Sequence, residues 1–319
     1  MDMTFDLAPY RSLYPWQGRF FDTGNGVRMH YLDEGQGETL VMLHGNPTWS
    51  FYWRHLVSAF SKQYRVIVPD HVGCGLSDKP SDEQYPYVLE RRVADLDALL
   101  KSLGITKNVT LVVHDWGGMI GMAWATKNPE LVKRFVVLNT AGFGLPQGRK
   151  LPWQIGVVRY APFFPVPVRA FNAFSRGANM LCSTRPGRMT SLVKQAYLAP
   201  YDSWANRIAV QRFVEDIPLA PGDRSWPIVQ EVSDKLGQFR SVPMLICWGR
   251  KDFVFDDAFL AEWRKRLPEA KGRRKATTEA PRHRDGIEGS GEWGMGSGQW
   301  RRSRGGAGSG LSARRAGDC

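Results

Sequence analysis

Apolar and polar positions along this chain follow two rhythms. VRMHYLDEG (27–35) alternates with a period of two, as a half-exposed strand does, while TLVMLHG (39–45) and YRVIVPD (64–70) are continuous apolar runs that suit buried strands. FYWRHLVSAF (51–60) has helical spacing between them. VLERRVADLDALLKSLG (88–104) is an amphipathic helix with a glycine stop, followed by the strand NVTLVVHD (108–115). GMIGMAWATKNP (118–129) and VKRFVVLNT (132–140) then supply one more helix and one more strand. Short apolar strands separated by helices predict a mostly parallel, doubly wound α/β sheet.

The rhythm breaks from about residue 146 to 225. This stretch is rich in proline and aromatics, with helical fragments and no good strand, as in LPWQIGVVRYAPFFPVPVRAFNAFSRGANML. It predicts a helical cap inserted between a first core segment (15–145) and a second (226–270). The second segment brings the strand VPMLICWGRKD (242–252) and the helix DDAFLAEWRKRLPEA (256–270). Residues 271–319 hold 12 of the 33 glycines but only Ile287 and Leu311 from the Leu, Ile, Val and Phe set. Such a segment buries too little apolar surface to offset its ordering entropy, so a disordered Gly/Arg-rich tail is expected in place of a last strand and helix.

Composition adds limits. With 319 residues, 43% of them hydrophobic, the chain suits one large core plus a satellite. No run approaches the roughly 20 apolar residues of a membrane helix, and MDMTFDLAPYRSLYPWQ lacks a basic then apolar leader, so a cytoplasmic protein without a transmembrane segment is expected. Cys74, Cys182, Cys247 and Cys319 form no CxxC pair, which suggests neither a metal site nor a disulfide framework. The net charge of +12 raises nucleic acid as a partner. Half of that excess sits in residues 271–319, with 11 Lys and Arg against 5 Asp and Glu, so no nucleic-acid partner is expected despite the RGG-like RRSRGGAGSG.

The chemistry begins at VVHDWGGMIG (112–121). A strand, a tight turn with a polar tip and a helix form a nucleophile elbow, here with Asp115 at the tip and Gly117 two residues on. The geometry lifts the tip to the carboxyl edge of the sheet, at a helix N-terminus that favours a carboxylate. A carboxylate nucleophile attacks an sp³ or acyl carbon to give an ester. The competing reading is that Asp115 only caps the helix. In HGNPTWS (44–50) the side-chain amide of Asn46 is a candidate anion donor, and the indole N–H of Trp116 is another. In WGRKDFVFD (248–256), Asp252 is either the carboxylate that orients an imidazole or a turn former.

HGNPTWSFYWR, VPDHVGCGLSDKP, VVHDWGGMIG and ICWGRKDFVFD together resemble the haloalkane dehalogenase family of α/β hydrolases, from about residue 15 to 270. The resemblance implies that Asp115 displaces the leaving group, that Asn46 and Trp116 bind the resulting anion, and that Asp252 is the triad acid. AYLAPYDSWANRIAVQRFVEDIPLAPGD and NTAGFGLPQGRKLPW resemble the branch whose members are cis-β-lactone decarboxylases of long-chain olefin synthesis. That branch implies a hydrophobic small-molecule substrate, no cofactor, and other olefin-biosynthesis enzymes such as the β-lactone synthetase as partners. Attack at the ring's carbonyl or at its alkyl carbon stays open. The alternative is hydrolysis of a carbon–halogen bond to an alcohol and halide. A further alternative is an epoxide hydrolase, for which Tyr160, Tyr197 and Tyr201 are the available acids.

The resemblance also implies a triad histidine in a Gly-His-Tyr or Gly-His-Phe turn beyond Asp252, and no such turn exists here. Of His30, His44, His55, His71, His114 and His283, only His283 lies downstream, between Arg282 and Arg284, which disfavour an imidazolium. A catalytically impaired chain is therefore a second alternative. Codons for Lys275-Ala276-Thr277-Thr278, read from their third base, permit Gly-His-Tyr, which suggests a frameshift near residue 271.

Overall fold

The computed structural model describes residues 5–275 apart from Asn25, Pro162 and residues 183–185. Its strands are β1 (Arg19–Asp22), β2 (Arg28–Glu34), β3 (Thr39–Leu43), β4 (Arg65–Pro69), β5 (Val109–His114), β6 (Val132–Leu138), β7 (Met244–Gly249) and β8 (Lys271–Lys275). They form one sheet in the order β1-β2-β4-β3-β5-β6-β7-β8. β1–β2 and β2–β4 are antiparallel, and every other pair is parallel.

The central strands are apolar on both faces because both faces are covered. All of β3 is buried, and so is β5 up to His114. Helices α1 (Arg54–Phe60), α2 (Leu89–Ser102) and α3 (Trp116–Lys127) alternate with these strands. α2 buries Leu89, Val93, Leu96, Leu99 and Leu100 at helical spacing while Glu90 and Lys101 stay in solvent. α3 is buried almost all round and has no polar stripe, as expected of a helix between the sheet and further helices. Between β6 and β7 the chain leaves the sheet for α4 (Trp153–Tyr160), α5 (Pro165–Phe171), α6 (Ala173–Leu181), α7 (Ser191–Leu198) and α8 (Ile208–Glu215), the helical cap. α9 (Trp226–Lys235) leads back to β7, and α10 (Asp257–Arg266) follows it. Among the described residues no helix is long and apolar enough to cross a membrane.

At the sheet's edges one strand was not foreseen and one expectation needs correction. β1, the stretch RFFD, is held by backbone pairing to β2 rather than by an apolar run, and periodicity does not reveal it. The last strand is present: Lys271–Lys275 pairs in parallel with Leu245–Gly249 of β7. KGRRK has no apolar residue, so its strand character comes from the backbone ladder, and charge on an edge strand discourages pairing with other chains. The tail expected from residue 271 thus begins with a strand, and residues 276–319, His283 included, lie outside the described residues.

Candidate active site

Asp115 sits between β5 and α3 with φ 53° and ψ −129°, a conformation that costs about 1–3 kcal/mol for a non-glycine residue. Neighbouring backbone over-determines it. The Asp115 N–H donates to the Asn139 carbonyl at 3.1 Å, the Asp115 carbonyl accepts from Gly118 N–H at 2.9 Å, and the Thr140 hydroxyl donates to the same carbonyl. Gly117 explains why helix and strand come so close: a Cβ there would lie 2.1 Å from the Leu43 carbonyl oxygen.

The side chain of Asp115 does not cap α3. It turns toward the loop after β3, where the Asn46 backbone N–H donates to Oδ1 at 2.8 Å. Gly45 makes room for it, because a Cβ on Gly45 would lie 1.9 Å from that oxygen. Burial pushes the carboxyl up to about 6; the backbone N–H groups of Trp116 and Asn46 pull the other way, and the Asp252 charge adds to the rise. The carboxylate is thus largely ionised at neutral pH, poorly solvated and rigidly held, which is the condition for nucleophilic attack.

Asp115 lines a cavity of about 630 Å³, within the size range of roughly 300–1,000 Å³ that holds small organic ligands. Asn46, Trp116 and Asp252 reach the same cavity, and its walls are mainly apolar, with Met119, Phe143, Ile155, Val158, Phe164 and Phe259 among them. The structure therefore brings together all four residues singled out in the sequence. Their hydrogen bonds refine the expectations. One amide N–H of Asn46 is engaged by the Val210 carbonyl of α8 at 3.0 Å, which leaves the second for a ligand. The Trp116 indole N–H makes no hydrogen bond among the described residues, and its ring packs on Phe213 at 5.1 Å. Asp252 Oδ1 accepts from Val254 N–H at 2.8 Å and Phe255 N–H at 2.9 Å, and burial raises its carboxyl above the usual range.

Other residues at the site were not legible in the chain. Tyr52 stacks on His114, with centroids 4.7 Å apart, and both line the cavity. Cys182 lines it too. Asn139, placed at φ 24°, ties the neighbouring turns together: its amide donates to the carbonyls of Gly249 (2.9 Å) and Phe255 (3.1 Å) and accepts from Gly249 N–H (2.7 Å).

The described histidines are occupied or weakly basic. His44 Nδ1 bonds the Gly45 carbonyl at 2.9 Å while Nε2 accepts from His71 N–H at 3.1 Å. His30 pairs with buried Asp70 at 2.9 Å. His114, next to the nucleophile candidate, has a buried Nδ1 without a partner, and burial lowers the ring to about 4. The tyrosines an epoxide reading needs are dispersed. Tyr160 is exposed and outside the cavity, Tyr201 donates to the Thr48 carbonyl, and Tyr197 alone of the three lines the cavity.

A family model for the alpha/beta hydrolase fold matches residues 38–280. The chain is an α/β hydrolase. Within that family it is 52% identical over 259 residues to the cis-3-alkyl-4-alkyloxetan-2-one decarboxylase of Shewanella oneidensis, covering 81% of each chain. The Xanthomonas campestris protein of the same name is 50% identical over 264 residues, covering 81% of this chain and 87% of that one. Haloalkane dehalogenase 2 of Mycobacterium tuberculosis is 30% identical over 273 residues, covering 79% of this chain and 84% of that one. Among solved structures, the haloalkane dehalogenase DbeA from Bradyrhizobium elkani has a TM-score of 0.71 at 23% identity, covering 81% of this hydrolase and 88% of that chain, which supports the fold alone. The hydrolase is an enzyme of the decarboxylase and dehalogenase group.

Proposed function

We propose that this hydrolase opens a cis-β-lactone and releases carbon dioxide and an olefin. The observation that carries the reading is Asp115, a half-buried carboxylate fixed by strained backbone in the wall of a large apolar cavity. The half-identical relatives named for cis-3-alkyl-4-alkyloxetan-2-one, a β-lactone with two alkyl arms, fit that cavity chemistry. In this reading Asp115 Oδ2 attacks the sp³ ring carbon bonded to the ring oxygen, that C–O bond breaks, and the ring oxygen becomes part of a free carboxylate. The free Asn46 amide N–H and the Trp116 indole N–H hold that carboxylate. Loss of carbon dioxide then supplies the electron pair for the new C=C bond and expels Asp115 as the leaving carboxylate. Atoms and charge balance without water, so no base is needed to activate one.

A dehalogenase reading has the 30%-identical relatives in its favour. It requires water to cleave the Asp115 ester; His44 and His71 are engaged with each other's backbone, and burial leaves His114, which lines the cavity, a weak base. The two readings separate in one assay of the purified chain. A cis-3,4-dialkyl-β-lactone should give many equivalents of olefin per protein, while a 1-bromoalkane should give at most one equivalent of bromide and leave an alkyl ester on Asp115. Sustained bromide release with no olefin would reverse the assignment.

A further inference from the structure

Ten large apolar side chains are exposed among the described residues, and eight of them fall between Trp153 and Leu181. They lie on α4, α5 and α6 of the cap and on the turns between them. On α4, Trp153, Val157 and Tyr160 are spaced i, i+4, i+7 and exposed while Ile155 and Val158 are buried. Phe163, Phe171 and Met180, each at least 70% exposed, carry the patch along α5 and α6. Scattered single exposures need no explanation, but a contiguous stretch of sequence that turns its largest apolar side chains outward marks an interaction surface.

The charge of the same segment says what covers it. From residue 146, where the cap begins, to residue 201 there are eight Lys and Arg and no Asp or Glu. Arg149 and Arg159 are matched by Asp256 and Asp223 from outside the segment. Lys150, Arg176, Arg188 and Lys194 are exposed, with no carboxylate in ion-pair range among the described residues. Arg176 stands four residues before Met180 on α6, so cationic and apolar groups share that face. Two copies of a cationic face repel each other, which disfavours self-association. Trp153, Val157 and Leu181 also line the cavity, so the patch borders the cavity's mouth, which a protein partner seated there would obstruct.

We propose that this face of the cap docks on an anionic lipid bilayer, its aromatic and methionine side chains in the headgroup layer and its Lys and Arg on lipid phosphates. Apolar groups combined with surface cations are the two attractions that hold proteins at such interfaces. Docking stands on the patch and its charge. That a long-chain lactone then passes from the bilayer into the cavity rests on the proposed function.

Vesicle flotation of the full chain tests the docking without any turnover. The chain should float with phosphatidylglycerol-containing vesicles, not with pure phosphatidylcholine, and less as salt rises. The pair Phe163→Glu with Met180→Glu should weaken partitioning about tenfold or more, and the pair Lys150→Glu with Arg176→Glu should do so as well. The second pair leaves the apolar packing untouched and so stands if the first fails to fold, as checked by thermal melting. No flotation with anionic vesicles overturns the proposal, as does flotation that neither pair changes. So does a dimer in light scattering that Phe163→Glu dissolves, since that assigns the face to a second copy.

Discussion

Two carboxylates stand at the carboxyl ends of β5 and β7, and the same buried setting treats them differently. Asp252 is held by its own turn, through the N–H groups of Val254 and Phe255, two and three residues on. Asp115 is held from far away in sequence, by Asn46 in the loop after β3, and its backbone sits in a conformation that only the surrounding contacts maintain. A carboxylate satisfied by its own loop is a good turn former, whereas one placed by strain and a distant donor is positioned for chemistry. Asn139 bridges the two turns, so their separation is set by one side chain on β6's exit.

Breaking the Asp115 side should have the largest effect. Asp115→Asn keeps the shape and removes the proposed nucleophile, so turnover should fall by roughly 10³-fold or more, read as product formation under steady-state conditions. The same variant should be more stable than the wild type at neutral pH. Asp115 has its folded value raised to about 6 from 3.8, so the folded chain holds the proton more tightly, and that contribution is complete below pH 3.8 and lost as pH rises through 6. The asparagine variant escapes that loss, a gain on the order of 2–3 kcal/mol at pH 7.5 that vanishes below pH 3.8, measurable by denaturant titration at both pH values. Wild-type activity should fall as pH drops through 6 for the same reason.

Gly117→Ala should cost about 1–3 kcal/mol of stability, because the new methyl meets the Leu43 carbonyl, and thermal melting reports it. Asp252→Ala leaves two backbone N–H groups without their acceptor and should cost about 1–3 kcal/mol. The smallest effect belongs to Asp252→Asn, whose amide oxygen still accepts from both. Its stability should change by less than about 1 kcal/mol, and its activity should fall far less than that of Asp115→Asn. Equal activity losses in Asp252→Asn and Asp115→Asn would erase the contrast between the two turns.

The parts of this fold that declare themselves in the sequence are those whose burial dictates residue type. β3, β4 and β5 are apolar runs because both sheet faces are covered, and α2 shows its stripe because one face is not. β1 and β8 are edge strands defined by backbone ladders, so RFFD and KGRRK carry no pattern to read. At the site, Asp115 is legible because the strand, tip and glycine are local. The bond from Asn46 to Val210 spans 164 residues, and the Tyr52–His114 stack joins a short 3₁₀ helix to a strand end, so neither leaves a signal in one sequence.

The most direct test follows olefin by gas chromatography from a cis-3,4-dialkyl-β-lactone, with the wild type beside Asp115→Asn. The account predicts olefin and carbon dioxide in equal amounts, well beyond one equivalent of wild-type protein, and none above background from the variant. Olefin formed equally by both proteins would contradict Asp115 as the group that opens the ring.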